Sequence, residues 1–226
     1  MQVLPAQRRL LGPILFALAG RYASFVAMCA LALVHEGTRG PTLADPILAL
    51  VPYVAWVDRA NWVLWLALYL PLAVVFLWTE PARWIRYMWT GALVSLARGL
   101  CIVATQLGPP DPAHTGPGIG SRSYGQALSE LVSPFHVFVE SSQRAYLTQD
   151  LFFSGHAATT FLLWLYLRGR PRLAPVALLA CLAVTASVLL AHLHYSIDVV
   201  GAWAVTFAIF VLREGWPRPR AASNAG

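Results

Sequence analysis

The amino-acid sequence predicts an all-α, polytopic membrane protein with six transmembrane helices. Of the 226 residues, 58% are hydrophobic and only 12% are charged, and the mean hydropathy is +0.61. A soluble domain of this size could not bury so much apolar surface while presenting so few charges. Six apolar segments, each about 17–25 residues long, have the length that a membrane-spanning helix requires.

These segments divide the chain into three regions. We expect a cytoplasmic N-terminus over residues 1–10, a six-helix transmembrane domain over residues 11–212 and a disordered cytoplasmic tail over residues 213–226. The predicted spans run from Leu11 to Val34, Asn61 to Trp78, Trp84 to Leu107, Asp150 to Leu167, Leu173 to Ala191 and Ser196 to Leu212.

A long polar stretch, residues 108–149, separates the third predicted span from the fourth. Loops of this length are often functional or partly structured. Within it, YGQALSELVSPFHVFVE (residues 124–140) is consistent with a short amphipathic helix that lies along the membrane interface and roofs a site. A flexible polar loop is an equally good interpretation of the same residues.

The distribution of arginine predicts the orientation, because all 16 basic residues are arginines. Two of them, Arg21 and Arg98, lie inside predicted spans. Ten flank one side of the membrane: Arg8, Arg9, Arg83, Arg86, Arg168, Arg170, Arg172, Arg213, Arg218 and Arg220. Four flank the other: Arg39, Arg59, Arg122 and Arg144. Since cytoplasmic segments carry the excess of positive charge, both termini are expected in the cytoplasm.

Two segments place ionisable groups at membrane depth, where such groups usually mark function. His194 and Asp198 are four residues apart, so on a helix they share a face. A carboxylate bonded to one imidazole nitrogen fixes the tautomer and makes the other nitrogen more nucleophilic. His156, on another helix, supplies a second imidazole that can shuttle a proton. The predicted orientation brings both segments to the extracytoplasmic face.

The residues around His156 also favour phosphate binding. Ser154 and Gly155 precede it at a helix start, where backbone N–H groups can hold a phosphate oxygen and glycine permits close approach. Arg98 lies in mid-helix, so it must be paired or face water. We prefer a role for Arg98 as a phosphate clamp. The alternative is a structural ion pair with Asp45, Asp58 or Asp198, and Arg21 is interpreted as structural.

Other interpretations of the histidines stay open. Each of them could be a structural hydrogen-bonding group, and His and Asp are also good zinc ligands, although no further carboxylate or cysteine is obvious nearby. His192 is two residues from His194, so on a helix it points elsewhere, and we interpret it as structural. Four aromatic residues near the predicted faces are interpreted as interfacial anchors: Tyr53, Trp56, Trp62 and Trp65.

Two segments, DLFFSGHAATTF (150–161) and HLHYSIDVVGAW (192–203), resemble the type 2 phosphatidic acid phosphatase (PAP2) superfamily. More narrowly, they resemble its sphingomyelin synthase branch. That branch has an SGH motif preceded by an acidic residue, here Asp150, and an HY-[ST]-x-D-V motif, here starting at His194. RGLCIVATQLGPP (98–110) and PTLADPI (41–47) are similar to two further motifs of the branch.

The resemblance implies a PAP2-type helical bundle and assigns roles to residues. His194 would be the nucleophile, His156 the general acid and base, and Asp198 the residue that orients His194. Substrate contacts would come from five residues: Ser154, Gly155, Arg98, Asp150 and Tyr195. The resemblance implies no cofactor and no metal, and its partners are a phospholipid donor and a lipid alcohol acceptor in the bilayer, without nucleic acid.

The chain also departs from the wider pattern. It has no lysine, and Val188 follows Ser187 where that pattern has an arginine. A phosphate monoester dianion would be poorly held, whereas a phosphodiester carries one negative charge and needs less compensation. Gly108 stands where the branch has a proline, which weakens any inference about head group or acceptor.

The resulting prediction is a membrane lipid phosphotransferase. It would move phosphocholine or phosphoethanolamine from a glycerophospholipid to a lipid alcohol such as ceramide through a phosphohistidine, releasing diacylglycerol. The alternative is a hydrolase, either a PAP2-type lipid phosphatase or a phospholipase C-like enzyme, and a non-enzymatic transporter or scramblase is less favoured. The all-arginine usage points to a GC-rich genome and so to a bacterial inner membrane, with a eukaryotic organelle as the other possibility.

Overall fold

The computed structural model describes residues 5–36, 40–112, 118–133 and 147–216. Within these ranges the protein is helical and has no strand. The helices are α1 (Pro5–His35), α2 (Ala55–Thr79), α3 (Pro81–Thr105), α4 (Tyr124–Val132), α5 (Gly155–Leu167), α6 (Leu173–Leu190) and α7 (Ser196–Glu214), with a short 3₁₀ turn at Leu48–Leu50.

Five of the helices are long and apolar enough to cross a membrane. They are Leu10–Val34 within α1, and the whole of α2, α3, α6 and α7. Helices of this length and hydropathy are consistent with an integral membrane protein. The first and last extend beyond the predicted spans, because α1 begins at Pro5 and α7 continues to Glu214.

The expectation of six full-length spans is not confirmed, because the helix of the fourth predicted span, α5, is short. α5 begins at Gly155 rather than Asp150 and has 13 residues. Its length is about 20 Å, against a hydrocarbon layer of about 30 Å. The apolar residues before it do not continue the helix, since their backbone groups bond to other elements. Phe152 N–H donates to Asp198, and the Phe153 carbonyl accepts from Arg98.

α5 nevertheless lies at the centre of the bundle, in contact with α2, α3, α6 and α7. Eight of its 13 residues are buried. Leu162, Leu163 and Tyr166 belong to the main hydrophobic cluster together with Phe76 of α2 and Phe210 of α7. A helix covered by protein can be shorter than one that faces lipid on its own, because its neighbours shield its ends.

α2 begins at Ala55, six residues before the predicted start at Asn61. The sequence misled here because polar residues stand in the first two turns. Asp58 is buried and accepts a hydrogen bond from Tyr53 Oη at 2.8 Å, and Asn61 Nδ2 donates to Ser187 Oγ at 3.0 Å. Asp58 therefore bonds the loop that precedes α2, and Asn61 bonds α6. The polar residues belong to the helix and do not indicate a loop.

The long polar stretch contains a helix, as one of the two interpretations expected. α4 starts with a capping box, in which Ser123 Oγ accepts from Gln126 N and the Gln126 side chain accepts from Ser123 N. Its buried face, including Leu131, packs against Met28 and Leu33 near the end of α1. Residues 134–146, which include the rest of the predicted segment, lie outside the described residues.

An ion-pair cluster closes the end of the bundle that carries most arginines. Glu80, between α2 and α3, accepts from Arg170 Nε at 2.6 Å and from Arg83 Nη1 at 2.8 Å. The bond from Arg170, together with that from Arg83, lowers the pKa of Glu80 to about 2. Glu214 accepts from Tyr166 Oη at 2.8 Å. The first two residues of the predicted tail, 213 and 214, belong to α7, which ends at Glu214. Residues 217–226 are outside the described part.

Two loops cross in backbone contact at the opposite end. Gly108 N–H donates to the Pro41 carbonyl at 2.9 Å. A Cβ on Gly108 would lie 2.6 Å from the Gly40 carbonyl oxygen, and one on Gly40 would lie 2.0 Å from the Gln106 oxygen. The crossing therefore excludes a proline at position 108, which would lack the N–H and clash with the second loop.

Candidate active site

His194 lies on the turn before α7, and Asp198 lies in the first turn of that helix. The imidazole Nδ1 is 3.1 Å from Asp198 Oδ2. His194 is 5% exposed and Asp198 is fully buried, so the pair is well shielded from solvent. A carboxylate that accepts the Nδ1 proton leaves the lone pair on Nε2, which is the nitrogen free to attack an electrophile.

Asp198 also joins the two motif segments. Its Oδ2 accepts from Tyr195 N at 3.1 Å, and its Oδ1 accepts from Phe152 N at 3.1 Å. Its backbone carbonyl accepts from Ser154 N at 3.2 Å. A buried carboxylate requires several such bonds to be stable. One residue thus fixes the start of α7, the His194 ring and the segment that leads into α5.

Asp45 secures the same helix start from a separate loop. Its Oδ2 accepts from Ser196 N at 2.6 Å, and its Oδ1 accepts from Ser196 Oγ at 3.0 Å and from Leu48 N at 2.9 Å. Burial raises the pKa of Asp45, but the hydrogen bonds from Leu48 and Ser196 outweigh it, and the net pKa is lowered. The negative charge is favourable at the N-terminus of α7. Sequence reasoning gave Asp45 no such role.

His156 lies in the first turn of α5, directly after Gly155. Ser154 caps this helix, because its Oγ accepts from Ala157 N at 3.4 Å. Two residues earlier, Ser154 N–H donates to the Asp198 carbonyl, so Asp198 links the turn that carries His156 to His194. The backbone carbonyl of His156 accepts from the Thr160 hydroxyl at 2.9 Å, whereas no described residue bonds its ring nitrogens. The fold thus brings together the two histidines that the sequence singled out.

The partner of Arg98 is Asp150, not Asp45, Asp58 or Asp198 as the sequence alternatives had it. Arg98 Nη2 donates to Asp150 Oδ2 at 2.6 Å and to its carbonyl at 2.8 Å, and Nε donates to the Phe153 carbonyl at 2.7 Å. The side chain is buried, and its bonds to Asp150 and Phe153 brace the non-helical segment before α5. A clamp on phosphate stays a prediction for this residue.

Gly155, Arg21 and Arg98 border one small cavity between α1, α3 and α5. A Cβ on Gly155 would be 3.4 Å from Arg98 Nε. Arg21 Nη1 donates to Ser95 Oγ, one turn along α3 from Arg98. The hydroxyl bond agrees with the structural interpretation of Arg21.

Tyr195 and His192 flank His194 and are both engaged by neighbouring loops. Tyr195 is 1% exposed, and its Oη donates to the Gly108 carbonyl at 3.0 Å and accepts from Leu43 N at 3.1 Å. Its predicted contact with substrate stays a prediction. His192 Nε2 is 2.9 Å from the Val51 carbonyl, which agrees with a structural role.

Potential metal ligands do not converge in the described ranges. No three His, Cys, Asp or Glu side chains lie there close enough together to hold a metal ion. His194 and Asp198 bond each other directly, and Asp150 bonds Arg98. The arrangement can instead supply a nucleophilic nitrogen, a proton-transfer group and a cation within one region.

Two contacts of the site were missed by sequence reasoning. Trp65 of α2, interpreted as an interfacial anchor, packs on His156 with ring centroids 5.3 Å apart and planes at 81°. No sequence signal distinguishes such a tryptophan from an anchor on the same apolar helix. Glu36, at the end of α1, accepts from Thr148 N at 2.8 Å, from the Thr148 hydroxyl and from Gln149 N at 3.3 Å. It holds the segment that leads to Asp150.

Glu36 is buried, and burial is the main cause of a pKa raised to about 6. The hydrogen bonds from Thr148 and Gln149 oppose this shift, and the neighbouring Asp150 charge adds to it. The end of α1 therefore carries a carboxyl group that titrates close to neutral pH.

Residues 149–214 match the family model described as PAP2 superfamily C-terminal. The matched region includes α5, α6, α7 and both histidine motifs. It supports PAP2 superfamily membership, and members of that superfamily are typically phosphatases and phosphotransferases. No curated protein matches the chain.

Proposed function

Proceeding from the PAP2 match, we propose that this chain is a membrane lipid phosphotransferase with a phosphohistidine intermediate. The observation that carries the proposal is the buried His194–Asp198 pair, which leaves Nε2 of His194 as a nucleophile, while the same aspartate also bonds the segment that leads to His156. In this proposal a phospho-head group, phosphocholine or phosphoethanolamine, moves from a glycerophospholipid to a lipid alcohol such as ceramide. The other product is diacylglycerol.

In the first step, Nε2 of His194 attacks the phosphorus of the donor lipid. The bond from phosphorus to the diacylglycerol oxygen breaks, and protonated His156 gives its proton to that oxygen. Asp198 stabilises the positive charge that develops on the His194 ring through its bond to Nδ1. Diacylglycerol leaves, and the phospho-head group remains on His194.

In the second step, neutral His156 takes the proton of the acceptor hydroxyl. The acceptor oxygen attacks the phosphorus, the P–N bond to His194 breaks, and the nitrogen regains its lone pair. His156 ends protonated, as it began. Neither step needs a metal or an external cofactor, because the leaving and attacking oxygens are handled by the two imidazoles.

The charge of the site supports a phosphodiester as substrate. The chain has no lysine, and the positive charge of Arg98 is matched by the Asp150 carboxylate at 2.6 Å. A dianionic phosphate monoester needs more compensation than this arrangement offers. A diester with a single negative charge needs less, which favours phosphatidylcholine or phosphatidylethanolamine as donor over phosphatidic acid.

The second candidate function is hydrolysis at the same site. The PAP2 match favours it, since the superfamily includes phosphatases. Water would replace the lipid alcohol in the second step, and the phospho-head group would be released in soluble form. The same three residues serve both reactions, so the acceptor distinguishes them.

The test uses purified protein with head-group-labelled phosphatidylcholine or phosphatidylethanolamine, with and without ceramide. Transfer predicts labelled sphingophospholipid that depends on ceramide, and hydrolysis predicts soluble labelled head group whether or not ceramide is present. His192→Ala is the matched control for His194→Ala, because the two imidazoles are neighbours in sequence. Full activity in His194→Ala would refute both versions.

The proposal places the site on the extracytoplasmic face, with both termini in the cytoplasm. The arginine division supports this orientation, and all-arginine usage favours a bacterial inner membrane. Single cysteines at Ser121 and Arg172, both exposed, test it in a background without native cysteines. An impermeant maleimide should label Ser121→Cys in intact cells and Arg172→Cys only after lysis, and the reverse pattern would overturn the orientation.

A further inference from the structure

The ring of His156 is in contact with an aromatic group from α2. Trp65 meets it edge to face, with centroids 5.3 Å apart and planes at 81°. Both side chains are half-buried. Such a contact restrains the plane of an imidazole.

Trp65 is itself held in place by two further contacts. Its Nε1–H donates to Thr159 Oγ1 at 3.1 Å, and its ring stacks on Tyr69 at 5.1 Å with planes 8° apart. Tyr69 Oη is in turn 2.7 Å from Tyr87 Oη on α3. The indole plane is thus fixed by groups from α2, α3 and α5.

Thr159 connects this arrangement to the turn that carries His156. It lies three residues further along α5, and its hydroxyl donates to the Gly155 carbonyl at 2.9 Å. The tryptophan therefore contacts the imidazole directly and also bonds to a residue that is anchored at the first turn of α5. A shift of α2 relative to α5 would disturb both contacts together.

We infer that Trp65 is a positioning residue for His156, holding its ring for proton transfer through the edge-to-face contact and the Thr159 bond. The inference rests on the proposed function, in which His156 is the acid and base. His194 has a carboxylate to orient it, whereas His156 has no described hydrogen-bond partner at its ring nitrogens. Packing would then supply the orientation that a hydrogen-bond partner supplies to His194.

The kinetic test compares Trp65→Ala, Trp65→Phe and Thr159→Val in the transfer assay. Trp65→Ala should lower kcat by about 10-fold to 100-fold with little change in KM, because a small misplacement of a catalytic group is costly. Trp65→Phe keeps an aromatic ring and should recover most of kcat, and Thr159→Val should fall between them. Trp78→Ala is the control, since Trp78 is an exposed tryptophan on the same helix.

A second readout does not depend on activity. In protein with ¹⁵N-labelled histidine, Trp65→Ala should move and broaden the His156 ring signals and leave those of His194 in place. Unchanged His156 signals in Trp65→Ala, or a kcat loss no larger than in Trp78→Ala, would overturn the inference. Shifted His156 signals in a protein without any transfer or hydrolysis would support the contact and refute the proposed function instead.

Discussion

The two histidines of the candidate site are held by opposite kinds of environment. His194 is buried and bonded to a carboxylate, on a turn fixed by Asp198 and Asp45. His156 is half-buried, packs on an indole and has ring nitrogens without a described partner. A polar partner selects a tautomer and raises the nucleophilicity of one nitrogen, whereas an aromatic partner fixes a plane and leaves proton exchange open. The difference agrees with the proposed division of the two histidines into a nucleophile and an acid–base group.

The largest expected effect comes from removing either imidazole. His194→Ala should abolish transfer, and His156→Ala should reduce it by about 10²-fold to 10⁴-fold. Rapid-quench labelling with donor lipid separates the two, since His156→Ala should still form some labelled enzyme and His194→Ala none. Label on the His194→Ala protein would reverse the assigned roles.

Asp198→Asn should have the next largest effect, about 100-fold or more on kcat. An amide presents an N–H as well as an oxygen, so it no longer enforces the His194 tautomer with Nε2 free. Thermal unfolding measured beside kcat separates this effect from loss of the bonds to Phe152 and Tyr195. If kcat stayed within twofold of the wild type, the carboxylate would not orient the nucleophile.

Asp45→Asn should disturb the environment of His194 and leave that of His156 unchanged. We expect kcat to fall about tenfold, because the turn before α7 would be displaced. The measurement pairs kcat with the histidine ring signals of labelled protein. Those of His194 should move, while those of His156 stay, because Asp45 bonds Ser196 and not α5. Equal shifts of both rings would mean that the two environments are not independent.

The smallest expected effect concerns pH and the segment before α5. The pKa of Glu36 is raised to about 6 from an ordinary value of 4.5, chiefly by burial, so the folded state binds more protons than the unfolded state between these values. The unfolding free energy should therefore fall by about 2 kcal/mol as pH rises through this window, and level off above it.

Thermal unfolding of wild type and Glu36→Gln across this pH range checks the effect. The glutamine side chain does not titrate, so the variant should show a flatter profile. Parallel profiles for the two proteins would show that Glu36 titrates equally in both states.

The sequence predicted α3, α6 and α7 to within about three residues at each end, because apolar runs with arginines or prolines at their ends carry a strong signal. It could not place the start of α5, since Leu151, Phe152 and Phe153 are as apolar as the helix itself. Bonds to Asp198 and Arg98 hold them in a non-helical conformation. The hydropathy of a segment does not indicate whether its backbone forms such tertiary hydrogen bonds.

Contacts within the candidate site could be predicted where the two residues lie close in sequence, and could not be predicted where they lie far apart. His194 and Asp198 are four positions apart and bond to each other, although His194 lies on the turn before α7 and not in the helix. The Arg98–Asp150 pair spans 52 positions, and other carboxylates were equally reasonable partners. Trp65 and Glu36 act through packing and backbone bonds, for which residue type alone gives no indication.

The shortness of α5 also bears on what can intercept the intermediate. Arg168, Arg170 and Arg172 follow its end and stay near water, as charged side chains do. In the proposed orientation, with α5 along the membrane normal, its length of about 20 Å would leave Ser154 and His156 about 10 Å inside the far edge of a hydrocarbon layer of about 30 Å. In the proposed mechanism the phosphohistidine would form on His194, near this depth, where it would meet lipid hydroxyls more readily than bulk water. Its lifetime, set by burial, would decide how each turnover partitions between transfer and hydrolysis.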